Sequence, residues 1–182
     1  MKILTISGYK SSELGIFSNN HKAVQYIQKA ILKRVVPLIE EGLEWVIISG
    51  QLGTELWAAE VVQKLQEIFP TLHLGIFTPY ENQEQNWNEQ NKLYYEEILM
   101  LADHVDSISR KPYESPQQLM AKNVFLIEKS DACLLFYDPE KEGTPKYMYD
   151  IAKKKCEIGN YQLMQLTFDE LQAIVDEETM YD

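Results

Sequence analysis

Cysteine is scarce in this chain, and the scarcity excludes two classes at once. Cys133 and Cys156 fit neither a zinc-ligand spacing nor a disulfide framework. Cys133 lies inside the apolar run Ala132-Cys133-Leu134-Leu135-Phe136, where a free thiol packs as a small hydrophobe. The three histidines, His21, His73 and His104, are scattered and form no metal-ligand pattern. No Gly-x-Ser-x-Gly elbow and no Cys–His pairing marks a nucleophilic enzyme. No apolar run approaches the ~18 residues that would span a bilayer. No charged-then-apolar signal region precedes residues 2–6. A cytoplasmic location without membrane insertion is therefore expected. Gly42, Gly53 and Gly143 are isolated punctuation, and the sequence holds no low-complexity linker or internal repeat.

Basic residues are also in deficit. Lys and Arg number 17 against 28 Asp and Glu, for a net charge of −11. That argues against a nucleic-acid partner, whose phosphates must be neutralised by cations. Residues 168–182 hold six acids and no Lys or Arg, more than half of the net excess. This acidic C-terminal helix and tail reads either as a solvated end or as a dock for a basic protein.

What the sequence does have is alternation. Strand-like runs at 2–7, 45–48, 72–77, 104–109, 132–137 and 161–166 alternate with helical periodicity at 20–41, 56–69, 84–100, 117–129 and beyond Thr144-Pro145. Ser115-Pro116-Gln117-Gln118 and Thr167-Phe168-Asp169-Glu170 read as capping boxes. At 182 residues the chain suits one domain, spanning 1–182. The expected fold is an α/β, Rossmann-like three-layer αβα sandwich with a mostly parallel sheet of about six strands. In such sheets ligands sit beyond the carboxyl ends of the strands.

The segments directly after the strands are thus the candidate site. After the first come Gly8, Tyr9 and Lys10. After the second comes Ser49-Gly50-Gln51-Leu52-Gly53-Thr54-Glu55, opening a helix whose free N–H groups suit a phosphate. Glu55 would accept from a ribose diol, or act as a base. It could equally serve the helix dipole alone. After the third come Pro79 and Tyr80, and Tyr80 offers a stacking face. Arg110 follows the fourth strand as a candidate anion contact. Gly143 and Thr144 precede a further helix N-terminus, a second candidate phosphate cradle. The loop at residues 49–55 is neither a Walker loop nor a full Gly-x-Gly-x-x-Gly fingerprint.

Taken together, Ser7-Gly8-Tyr9-Lys10, Glu13-Leu14-Gly15-Ile16-Phe17, Gly42-Leu43-Glu44-Trp45, residues 49–57, residues 111–116 and residues 137–148 resemble the YpsA family of the SLOG superfamily. That superfamily also contains DprA and the lysine-decarboxylase-like LOG proteins. The resemblance implies a nucleotide-derived ligand such as ADP-ribose or an NAD derivative. It implies Gly53 and Glu55 as key site positions, with Gly8, Lys10, Ser49 and Gly50 alongside. It further implies a regulatory role linked to bacterial cell division, with a partner in that machinery. LOG phosphoribohydrolases carry Pro-Gly-Gly-x-Gly-Thr-x-x-Glu, whereas here Glu55 directly follows Gly53-Thr54 and Trp57 takes the glutamate's place. Three readings stand side by side: a ligand-binding regulator, an N-glycosidase or phosphoesterase using Glu55, and a partner-docking protein. No motif specifies an oligomeric state.

Overall fold

A computed structural model describes residues 1–180; Tyr181 and Asp182, the end of the acidic tail, lie outside the described residues. The elements run β1 (Ile3–Gly8), α1 (Ser11–Leu14), α2 (Lys22–Glu40), β2 (Trp45–Ile48), α3 (Thr54–Gln66), β3 (His73–Thr78), α4 (Glu89–Leu101), β4 (His104–Ser107), α5 (Gln117–Lys129), β5 (Ala132–Phe136), α6 (Pro145–Ile158), β6 (Gln162–Leu166) and α7 (Phe168–Thr179). The six strands form one sheet in the order β4-β3-β2-β1-β5-β6, parallel throughout. The chain first steps one way from β1 to β4, then returns across the sheet to β5 and β6. With right-handed crossovers, that reversal moves the connecting helices to the opposite face. Accordingly α2 packs on α3 and α7, and α3 packs on α4, whereas α5 pairs with α6. The result is the expected three-layer sandwich, with its switch point between β1 and β5.

Sequence chemistry explains the central strands. β5 is an unbroken apolar run and all five residues are buried, as a parallel strand covered on both faces requires. β1 pairs with it from Leu4↔Ala132 to Gly8↔Phe136. The capping boxes hold in altered form. Gln118 Oε1 accepts from the backbone N–H of Ser115 and Glu114, at 3.1 and 2.6 Å. Thr167 Oγ1 accepts from the Glu170 amide at 3.4 Å. The helix expected from residue 84 begins at Glu89, because Asn88 caps it by accepting from the Asn91 amide at 2.8 Å. The short α1 was not expected; four residues are too few for a periodic signal.

The acidic C-terminal helix has a partner within the chain. Glu170 pairs with Arg34, Glu177 with Lys33, and Glu178 with Lys29, all on α2. The Arg34 pair is two-pronged, with Nε and Nη2 donating to the two carboxylate oxygens at 2.9 and 2.8 Å. Three of the five described acids of this helix thus seat α7 on α2. No helix among the described residues is long and apolar enough to cross a membrane.

The loops at the carboxyl ends of β1 and β2 touch through their backbones. Lys10 and Gly53 form an isolated antiparallel bridge, and the Ser11 amide donates to Leu52 O at 3.3 Å. A Cβ at Gly53 would lie 2.4 Å from the Ser11 nitrogen and 2.7 Å from Tyr9 O, and its φ is +107°. Glycine is required there by contact and conformation alike. We expect Gly53→Ala to lower unfolding free energy by at least about 1–3 kcal/mol. Gly15→Ala, at φ +67° but with nothing within 4 Å, should cost about 1 kcal/mol or less. Urea unfolding of the two variants checks the contrast; equal effects would remove the close approach from the explanation.

Candidate functional site

A cleft of about 340 Å³ opens at the carboxyl end of β1, on the α5–α6 side of the sheet. Its position follows from the topology, since α5 returns across β1 before entering β5. Ser7, Gly8, Lys10, Gln51 and Glu55 form the wall nearest the strands. Leu119, Met120, Lys122 and Asn123 come from α5, and Tyr147 and Met148 from α6. The volume lies within the usual range for small-molecule sites, roughly 300–1,000 Å³.

Glu55 sits at the base, with only 3% of its surface exposed. Its Oε1 accepts from the Ser49 amide at 2.7 Å, the Ser49 hydroxyl at 2.8 Å and the Gln51 amide at 3.4 Å. Its Oε2 accepts from the Ser7 hydroxyl at 2.8 Å. One carboxylate thus ties the end of β1 to the loop after β2. The Thr54 amide and hydroxyl both donate to Tyr9 O, at 3.2 and 2.9 Å, adding a second tie. Leu52 donates its amide to Gln51 Oε1 at 3.0 Å. Most N–H groups of the 49–55 loop are therefore engaged within the protein.

The same holds at α6. The Thr144 amide and hydroxyl donate to the Glu13 carboxylate at 2.7 and 2.8 Å. Glu13 also accepts from the Lys10 amide at 2.9 Å. Burial alone would raise its pKa, but the backbone donors Lys10 and Thr144 prevail, with help from the Thr144 hydroxyl and the Lys10 charge, so it lies below the ordinary glutamate value. The second expected phosphate cradle is filled by a carboxylate of the chain itself.

Five residues singled out from sequence line the cleft: Gly8, Lys10, Gln51, Glu55 and Thr144. The others lie elsewhere. Tyr9 is fully buried, its hydroxyl donating to Lys141 O at 2.7 Å and accepting from the Asp138 amide at 2.9 Å. Ser49 is buried behind Glu55. Gly50, at φ +85°, faces Gln83 and Tyr95. Gly53 and Thr54 face the β1 loop. Gly143 packs on Tyr9 and Glu13. Pro79 is buried, and Tyr80 pairs edge-on with Tyr113 at 5.2 Å. Arg110 is exposed and pairs with Asp106 at 3.7 Å.

The α5 wall was missed. Leu119, Asn123, Leu126 and Ile127 share one face of α5, so Asn123 is an amide on an otherwise apolar stripe. That mismatch was the readable signal. Lys122 beside it carried none. Its surroundings desolvate the ammonium and pull its pKa below the lysine value; the Lys10 charge adds to this and Glu55 opposes it. No group of three or more His, Cys, Asp or Glu among the described residues could hold a metal ion.

Comparison with known proteins places these features in a wider set. The YpsA family model, described as the YspA SLOG family, matches residues 4–171. A UPF0398 protein from Bacillus cereus is 56% identical over 178 residues, covering 98% of this chain and 97% of its own. A UPF0398 protein from Bacillus thuringiensis (strain Al Hakam) is 55% identical over the same length and coverage. Among solved structures, the single-stranded-DNA-binding DNA processing protein A of Helicobacter pylori matches with a TM-score of 0.53 at 14% identity. The match covers 89% of this chain but 64% of that one, so this chain spans just under two thirds of its length. At that identity the likeness concerns the fold.

Two expectations follow from the carboxylates. Glu55→Ala should destabilise the protein by about 2–4 kcal/mol, because two buried hydroxyls and two amides lose their acceptor. Urea unfolding measures it, and a wild-type midpoint would refute the tie. Glu13, with its folded-state pKa lowered, stabilises at neutral pH and loses that contribution as pH falls below the unfolded glutamate value. Wild type and Glu13→Gln should therefore differ in melting temperature at pH 7, and the gap should narrow as pH falls through the glutamate range. A pH-independent gap would contradict the assignment.

Proposed function

Because the chain belongs to the YspA SLOG family, whose model spans residues 4–171, we propose that it binds a nucleotide-derived small molecule, of the ADP-ribose or NAD kind, in the cleft at the end of β1. The observation that carries this reading is the two-sided lining. Ser7, Gly8, Lys10, Gln51 and Glu55 present hydroxyl, amide, cation and carboxylate on one side. Pro116, Leu119, Met120, Pro145, Tyr147 and Met148 present an apolar surface on the other. A nucleotide has this division, with a flat base at one end and a sugar phosphate at the other. Tyr147, 59% exposed at the cleft, offers a ring for the base. Glu55 Oε2 accepts one protein hydrogen bond and keeps capacity toward a ribose hydroxyl.

Binding is favoured over bond cleavage by the state of Glu55. Three donors hold Oε1, and the carboxylate supports two loops. A general base that must move its proton load is better left freer than this. In the proposed role the liganded form is read by a protein partner, and a partner in the bacterial division machinery follows from the family resemblance. Single-stranded DNA, the ligand of the Helicobacter pylori neighbour, is the competing nucleotide chemistry. The net charge of −11 disfavours it.

A thermal-shift series with AMP, ADP-ribose, NAD and a short oligodeoxynucleotide tests the proposal. A mononucleotide-type ligand at 100 times its Kd should add about 2.7 kcal/mol. For a domain of this size that raises Tm by roughly 5–10 °C. Tyr147→Ala should weaken the effect without lowering Tm of the free protein. No shift with any of the first three would overturn the proposal, and a shift with the oligonucleotide alone would transfer the function to nucleic acid.

A further inference from the structure

Two helices, α3 and α6, begin at the cleft, and neither presents a vacant anion site. The loop entering α3 gives its Ser49 and Gln51 amides to Glu55. The first turn of α6 gives its Thr144 amide and hydroxyl to Glu13. An incoming phosphate would meet two fixed carboxylates where this fold commonly offers free amides. In a chain of net charge −11, neutralisation has to come from specific side chains.

α5 supplies them. Asn123 is only 8% exposed and lines the cleft. Buried amides are normally hydrogen-bonded. Yet among the described residues no side-chain donor or acceptor pairs with it, and its polar atoms are not sealed off from the cavity. Lys122 precedes it, half-buried on the same wall, and Lys10 lines the cleft from the β1–α1 loop. Neither lysine forms an ion pair among the described residues, as is true of seven other lysines, most of them on the open surface, whereas eight basic side chains besides His73 are paired. Two ammonium groups without an ion-pair partner and an amide whose polar atoms stay open thus share one cavity.

We propose that Lys122 and Asn123, with Lys10, form the anion subsite of the cleft and receive the phosphate or pyrophosphate group of its ligand. The inference rests on the nucleotide reading above and places that ligand's charge on α5, away from the glycine loops. The charged and titratable groups facing Lys122 are Lys10 from the β1–α1 loop, Glu55 from α3 and Tyr147 from α6. Desolvation and Lys10 lower the Lys122 pKa while the site holds no anion. A bound phosphate would reverse that balance and favour the protonated amine. Binding should therefore take up a proton at alkaline pH.

Amine labelling read by mass spectrometry tests this, with inorganic pyrophosphate as the probe. In the whole protein, pyrophosphate should protect Lys10 and Lys122 and leave the exposed Lys64 unprotected. It should also move the Lys122 titration upward. In K122M, protecting Lys10 should need at least tenfold more pyrophosphate; K122R should restore protection. No protection of Lys122, or undiminished protection of Lys10 in K122M, would overturn the proposal. The probe has neither base nor sugar, so its failure beside a positive nucleotide thermal shift would remove the subsite and leave the nucleotide reading standing. Pyrophosphate protection without any nucleotide shift would do the reverse.

Discussion

The Glu55 carboxylate is the constraint on which the site depends. It lies at the first turn of α3 and gathers donors from Ser7 on β1 and from Ser49 and Gln51 after β2. Neighbouring parallel strands leave a sheet as independent loops unless something joins them. Here a largely buried carboxylate at the base of the cleft joins them, where charge-assisted hydrogen bonds are strong. The Lys10–Gly53 bridge continues the junction, and Gly53 is the residue that lets two backbones come so close. Because this corner is fixed, Gly8 and Lys10 are held against the cleft.

The same solution recurs across the cleft. Glu13 caps α6 and accepts from the Lys10 amide, so the β1–α1 loop is clamped from both sides. Acidic side chains in this protein thus hold its structure together. On the opposite face, Glu170, Glu177 and Glu178 seat α7 on the basic side of α2. With the carboxylates engaged, the cations left over in the cleft become the distinctive chemistry. A phosphate-bearing ligand complements them, and the apolar face built from α5 and α6 complements a base.

Much of the architecture was legible in the sequence. The unbroken apolar run at Ala132–Phe136 announced a central parallel strand, and alternation of strand and helix announced the sandwich. Glycine and carboxylate in the 49–55 loop marked a position of importance. Their identities did not say that the carboxylate would face inward and occupy the loop's own amides. That depends on the distance between two strands, which no local pattern encodes. Tyr9 reads as a loop aromatic yet is buried by Phe136 and Phe168, residues far along the chain. The α5 wall was hidden for the same reason: the return crossover that brings Lys122 over β1 is a property of strand order. Only Asn123, polar on an apolar stripe, left a local trace.

In the proposed role, a nucleotide-derived ligand occupies the cleft at the carboxyl end of β1. Backbone amide chemical shifts, followed during titration with ADP-ribose, report that location directly. Perturbations should centre on Gly8, Lys10, Leu119 through Asn123 and Thr144 through Met148, with the 49–55 loop changing less because its amides are already engaged. Saturable perturbations confined instead to the groove between α2 and α7, lined by His21, Tyr26, Phe168 and Leu171, would contradict it.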